Sequence, residues 1–392
     1  MSKKVNTTFP KLRFPEFKGS WGISNIENSC EVKNNLRKPI SLPERALMQG
    51  LYPYYGPTGI IDYLDEYGLD GKFALIGEDG DHFLKYKSWS QTQLVEGKFN
   101  ANNHVHIICG TKECLVEWFF VYFQHRNIID SLTRQGAGRY KLNKASLFRL
   151  SIALPTITEQ EKIASFLGAV DTRLTQLRRK HELLQTYKRG VMQKLFSQQI
   201  RFKGDDGKTF PDWEKKELGS FIEEYSNKSI IQDEYEVLTS SRNGLLPQRQ
   251  YYDNERITER DNIGFNIIPP NFVTYRSRSD NRLFFFNENE LEFTGIISTY
   301  YPVFRFKNGV NKFFTEFLHY NQKYIGKYSV GTSQTVLSLN ELRKIYFKIP
   351  CLKEQENIAD FLTAIDKKIE AVAKQIELTE QFKKGLLQKM FV

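Results

Sequence analysis

Residues 155–196 and 350–391 are one stretch used twice, at a constant offset of 195 positions. Pro155, Glu159, Gln160, Glu161, Ile163, Ala164, Phe166, Leu167, Ala169 and Asp171 recur as Pro350, Glu354, Gln355, Glu356, Ile358, Ala359, Phe361, Leu362, Ala364 and Asp366. At the far end Lys188, Gly190, Gln193, Lys194 and Phe196 recur as Lys383, Gly385, Gln388, Lys389 and Phe391, and no gap falls between. A repeat of this kind decides architecture before local propensity does. The chain reads as globular block, long helix, globular block, long helix.

Steps of four and three from Ile163 meet Leu167, Val170, Leu174, Leu177, His181, Leu184, Lys188, Val191 and Leu195. The second copy gives Ile358, Leu362, Ile365, Ile369, Val372, Ile376, Thr379, Lys383, Leu386 and Met390. Apolar residues at this spacing argue for a coiled-coil seam. At 1.5 Å per residue, about 38 residues give a rod of roughly 57 Å. One copy alone would suggest a homodimer; two copies in one chain favour an intramolecular antiparallel pair. Lys188 and Lys383 sit on the seam, where burial is costly, and are expected to snorkel or to fix the register. Thr158 with Glu161 reads as a capping box that Lys353 abolishes in the second copy.

The repeat extends beyond the helices. Trp21 and Ile26 correspond to Trp213 and Leu218, and a boundary rich in Gly, Asp and Lys lies at residues 198–212. An amphipathic helix at residues 114–132 has a counterpart at 310–328. After each comes a glycine-bearing turn in register, Gly136 with Gly331, Leu142 with Leu337 and Leu147 with Leu342. The centre of the second block, residues 235–306, has no evident counterpart. The frame is duplicated and the centres diverge. The fold class is α+β, a pseudo-twofold repeat of two globular domains separated by two long helices paired as an antiparallel coiled coil.

The four cysteines are sparse, no apolar run approaches a membrane span and no signal peptide precedes Phe9, which suits a cytoplasmic protein with no membrane partner. Net charge is +10, and residues 1–200 hold 28 Lys and Arg against 19 Asp and Glu. The excess gathers at residues 126–149 and 173–194, a footprint suited to a polyanion or to a solvated cationic face.

Phosphate loops, dinucleotide fingerprints and nucleophile elbows are missing. His104, His106, Cys109 and Cys114 read better as core residues than as zinc ligands, and nothing in the sequence positions Glu78 and Asp79 for acid–base work. A stand-alone enzyme and a metal site are not expected. DNA contact suits Arg134, Arg139, Lys141, Lys144 and Arg149 on and after the first glycine turn. The second turn offers Lys327, Ser333 and Gln334. In the centres, Ser241, Arg242, Asn243, Tyr275, Arg276 and Arg278 are candidates for base edges, with Tyr54, Tyr55, Asn102 and Asn103 as the nearest equivalents in the first block.

The doubled starts PTITEQEKIASFLGAVD and PCLKEQENIADFLTAID, the KxGxxQKxF helix ends, the FPEF and FPDW lead-ins and YYGPTGIIDY resemble the specificity (S) subunit of type I restriction-modification systems. The resemblance implies a first target recognition domain at residues 1–154, a central spacer helix at 155–199, a second recognition domain at 200–349 and a C-terminal spacer helix at 350–392. It implies a bipartite site in double-stranded DNA, read one half-site per domain, with a rod of roughly 57 Å bounding their separation below about 17 base pairs. It places two methyltransferase (M) subunits around the helices and restriction (R) subunits beyond them. S-adenosylmethionine, ATP and Mg would then belong to those partners and none to this chain. A coiled-coil scaffold that joins proteins without reading bases is the competing reading.

Overall fold

The structure, a computed structural model, describes residues 9–135, 139–242, 244–252, 261–332 and 334–391. The chain forms two compact units, Met1–Arg178 with Lys374–Val392, and Arg179–Ala373. Each unit holds one globular domain, the first half of one long helix and the second half of the other. The helices span Ile157–Phe196 and Leu352–Met390.

Within each unit the helical segments run antiparallel. In the first, Lys383 meets Asp171 at 2.6 Å and Arg178 meets Glu380 at 2.6 Å, while Ile163, Leu167 and Val170 share a core with Leu386 and Met390. In the second, Lys188 meets Asp366 at 2.8 Å, and Leu195 and Phe196 share a core with Ile358, Ala359, Leu362 and Ile365. Every seam residue is protected: Leu167, Val170, Leu174, Leu177, Leu362, Ile365, Val372 and Leu386 are buried, and Leu184, Val191, Ile369 and Ile376 are half-buried. Full burial of one such aliphatic chain stabilises by about 1.5–3 kcal/mol. The seam lysines do not snorkel. They pair with carboxylates that the repeat also supplies, since Lys188 and Asp366 are the offset images of Lys383 and Asp171. Because helix ends cross between repeats, Phe391 packs on Trp118 and Tyr122 of the first unit as Phe196 packs on Phe313 and Phe317 of the second.

The helix start corrects the capping-box expectation. The first helix begins at Ile157, so Thr158 already lies in its first turn. What fixes each start is buried side-chain chemistry. Gln160 donates to the Pro155 carbonyl and accepts from Leu115 N; Gln355 does the same with Pro350 and Val310. Glu159 accepts two hydrogen bonds from Arg13, both 2.7 Å, and one from Trp21 Nε1 at 3.3 Å. Glu354 accepts from Arg201 at 3.0 and 2.8 Å and from Trp213 Nε1 at 3.1 Å. Both carboxylates are fully buried, and the bidentate fork holds each guanidinium above its already high pKa, against the opposing effect of burial. This pairing also revises the lead-in correspondence. Arg13 and Phe14 match Arg201 and Phe202, whose rings pack on Phe166 and Phe361, so FPEF and FPDW are not equivalent.

The first unit's sheet has six strands in the order Glu31–Val32, Val105–Cys109, Leu69–Gly77, Thr92–Ala101, Gln49–Gly56 and Gly59–Leu64. Alternation gives it two apolar faces. Ala74, Ile76 and Ile108 face helix Val116–Phe123 and the long helices, while Leu75, Val95, Phe99 and Ile107 form a separate core. The second unit carries two four-stranded sheets. One is ordered Ile222–Tyr225, Val303–Phe306, Val273–Tyr275, Phe286–Glu288; the other is Gly244–Pro247, Glu236–Ser241, Gly295–Ile297, Asn266–Ile268. No helix among the described residues is long and apolar enough to cross a membrane.

Candidate nucleic-acid interface

The centres lack sequence similarity, yet their backbones meet the glycine turn in the same way. In the first unit Glu78 N donates to His104 O at 2.8 Å, Leu142 N donates to Glu78 O at 2.7 Å, and Asp79 bridges Lys141. In the second, Ser277 N donates to Tyr300 O at 3.2 Å, Leu337 N donates to Ser277 O at 2.9 Å, and Arg278 pairs with Val336. Leu142 and Leu337, like Lys141 and Val336, stand at the repeat offset. Glu78 therefore corresponds to Ser277, Asp79 to Arg278 and His104 to Tyr300. The second centre has a counterpart at this ladder, and Glu78 and Asp79, unplaced by the sequence, are held by it.

In the first unit Glu78 is the electrostatic hub. Arg37 donates to it at 2.5 Å and to Asn103 O at 3.0 Å, and Lys141 lies 3.3 Å away. Burial acts to raise the Glu78 carboxyl, but the hydrogen bonds from Arg37 and Lys141 and the positive charge of Arg37 outweigh it, leaving the group below the usual carboxylate range. His106 donates from Nε2 to Leu142 O at 2.6 Å, and its burial pulls the imidazole down towards the neutral form. His104 donates from Nδ1 to Asp79 at 2.8 Å. Among the described residues no cluster of His, Cys, Asp and Glu is placed to hold a metal.

The hairpin Thr133–Gln135 and Arg139–Lys141 carries Arg134, Arg139 and Lys141, and the helix after it carries Lys144 and Arg149. Arg134 is exposed and lies 5.0 Å from the Tyr140 ring centre; Arg139, Lys144 and Arg149 are exposed. Lys141 is partly neutralised by Glu78. Asn103 is exposed and Tyr55 half-buried. Tyr54 and Asn102 leave the candidate surface. The Tyr54 ring is core, its hydroxyl donating to Lys38 O at 2.8 Å, and buried Asn102 accepts from His104 N.

In the second unit a cavity of about 790 Å³ brings Arg276, Arg278 and Gln334 together with Arg249 and Tyr300. Two carboxylates on its wall are already engaged, Glu236 with Arg249 at 3.5 Å and Asp233 with Asn262 at 2.6 Å. Arg276 and Gln334 are exposed and Arg278 half-buried. Tyr275 is core, donating to Leu337 O at 2.9 Å as His106 does to Leu142 O, with burial pushing its phenol far up. Ser241 closes its own hairpin by donating to Gly244 O. Arg242 and Lys327 are exposed, and Asn243 and Ser333 lie outside the described residues. The sequence missed Arg37 and Tyr300, which carry no motif and are recruited only by the ladder.

Known proteins share this organisation. Residues 18–185 and 211–380 each match the type I restriction modification DNA specificity domain. A Haemophilus influenzae protein assigned as a type I restriction enzyme specificity subunit is 34% identical over 167 residues, 43% of this chain and 41% of that relative. The specificity subunit of the MjaVIII type I restriction enzyme of Methanocaldococcus jannaschii is 22% identical over 96% of this chain and 92% of its own length. The crystal structure of the type I restriction-modification S subunit from M. genitalium shares the fold, with a TM-score of 0.65 at 16% identity over 98% of this chain and 99% of that one. With the domain matched twice over most of its length, the chain belongs to the type I restriction modification DNA specificity family.

Proposed function

We propose that the chain reads a bipartite duplex site, one short half-site per unit, with the number of unread base pairs set by the two long helices. One observation carries the reading: a frame with the same buried locks is built twice, while its rim carries different chemistry in the two copies. A scaffold that only joined proteins would have no use for unlike rims on like frames.

The chain itself is a non-catalytic specificity subunit. Adenine methylation with S-adenosylmethionine falls to two methyltransferase subunits, and ATP- and Mg-dependent cleavage to restriction subunits. Leu183 and Tyr187 of the second unit recur as Leu378 and Phe382 of the first, all between 51% and 54% exposed. Exposed apolar pairs one helical turn apart suit a protein partner, and two equivalent pairs suit two copies of it.

Removing seven residues from each helix shortens each by about 10 Å. At about 3.4 Å per base pair, the unread spacer is expected to lose about three base pairs. Both half-sites are expected to persist in methylated-site sequencing; altered half-sites with an unchanged spacer would contradict the reading. Exchange of residues 20–150 is expected to change one half-site only, and the purified chain alone is expected neither to methylate nor to cut.

A further inference from the structure

The two units place opposite charges at one ladder position. In the first, Asp79 stands across from Lys141, and its Oδ2 takes a hydrogen bond from His104 at 2.8 Å. In the second, Arg278 stands across from Val336, and its guanidinium lies 4.0 Å from the centre of the Tyr300 ring. The bracing residue comes from the same place in both, because His104 O and Tyr300 O accept the equivalent backbone hydrogen bonds. One backbone arrangement thus presents a carboxylate steadied by an imidazole, or a guanidinium steadied by a phenol.

Steadiness is what base reading requires. A long side chain already held against a ring loses less freedom on binding than one that waves in solvent. Arg278 enters no ion pair among the described residues, and the carboxylates on the same cavity wall are taken by Arg249 and Asn262. The guanidinium lies over the Tyr300 ring and, among the described residues, its N–H groups donate to no protein acceptor. Two parallel donors on a guanidinium edge match O6 and N7 of guanine in the major groove, whereas a carboxylate accepts from the exocyclic amine of cytosine.

We propose that this ladder position reads a base in both units, Arg278 a guanine in the second unit's half-site and Asp79 a cytosine in the first unit's. The assignment rests on the reading that each unit contacts one half-site.

The test is methylated-site sequencing in cells that carry the full chain with its methyltransferase subunits. Arg278→Lys keeps the charge and loses the fork; Arg278→Ala loses both. Each is expected to lose its preference at one guanine by roughly tenfold or more, with the other half-site and the spacer unchanged. Tyr300→Leu is expected to relax the same guanine, and Asp79→Asn to shift one position of the opposite half-site away from cytosine. Thermal melts alongside identify any variant that fails to fold, and the remaining variants then carry the result. An Arg278→Lys chain that keeps the parent's site makes Arg278 a phosphate contact and overturns the assignment. So does an Arg278→Ala chain weakened evenly over all sequences. Exchange of residues 200–349 for those of a relative runs beside them. If the exchange alters one half-site and Arg278→Lys does not, the assignment alone falls. If the exchange alters neither, the two-unit reading falls with it.

Discussion

The first and second units are alike at the buried starts of their long helices and unlike at the rim of the ladder. Glu159 and Glu354, Gln160 and Gln355, and Trp21 and Trp213 make the same bonds to equivalent partners. At the rim, Asp79 and Lys141 in one unit stand where Arg278 and Val336 stand in the other. A buried carboxylate must be met by donors of fixed geometry, so few residues can replace it. A rim side chain has fewer fixed partners, one ring or one charge, so more residue types fit there. The comparison teaches that the ladder's backbone bonds hold the rim in place whatever side chains it carries.

The largest expected effect comes from breaking one lock at a time. Glu159→Ala strands the Arg13 guanidinium and the Trp21 indole, and Glu354→Ala strands Arg201 and Trp213. Removing one partner of a buried pair costs about 3–5 kcal/mol. Hydrogen exchange is expected to show each loss in its own unit. Equal opening of both units by either variant would break the comparison.

How much of this was legible follows the same division. The seam could be read because period 3.5 is written in one stretch of sequence, and Leu167 or Leu362 needs no distant partner to declare itself. Glu159 was visible as a repeated letter but not as a lock, since Arg13 lies 146 positions away. Phe196 and Phe391 were seen to recur, yet only the crossing of helix ends explains why. The rim correspondence was invisible because Glu78 N to His104 O and Ser277 N to Tyr300 O are backbone bonds. Such bonds impose no residue type.

A smaller effect is expected on the seam. Lys188 is held by Asp366 and by Glu316, each at 2.8 Å, whereas Lys383 has Asp171 at 2.6 Å. Lys188→Met leaves two part-buried carboxylates short of a cation, with Lys312 still 3.8 and 3.6 Å from them. Lys383→Met leaves one. Losses of about 1–3 kcal/mol are expected, larger for Lys188, in denaturant melts. Equal losses would mean that Lys312 compensates fully.

Acid is expected to separate the units further. Burial pulls the imidazoles of His82, His106 and His125 down in the first unit and that of His319 in the second. Each binds its proton less readily folded than unfolded. Below the ordinary value of about 6.5 the unfolded chain takes up more protons, and stability falls with pH. Glu288, in the second unit, works the other way. Burial pushes its carboxyl up, so the folded form holds the proton more tightly and gains as the pH falls. The first unit is therefore expected to open first as pH drops from 7 towards 5.5, measured by hydrogen exchange corrected for intrinsic rates.

The smallest effect tests whether the turns are interchangeable phosphate contacts. Arg139 in the first unit and Gln334 in the second share one position in the repeat, and both are exposed. Replacing Arg139 by Gln, the second unit's residue, is expected to weaken duplex binding evenly over sequences. It is also expected to reduce the slope of log affinity against log salt by about one. Gln334→Arg is expected to raise that slope by about one. Both are measured with the methyltransferase subunits bound. If Arg139→Gln instead relaxed a single base position, the first unit's hairpin would read bases as well as grip the backbone. The two units would then differ in how many elements read, and not only in which residues do.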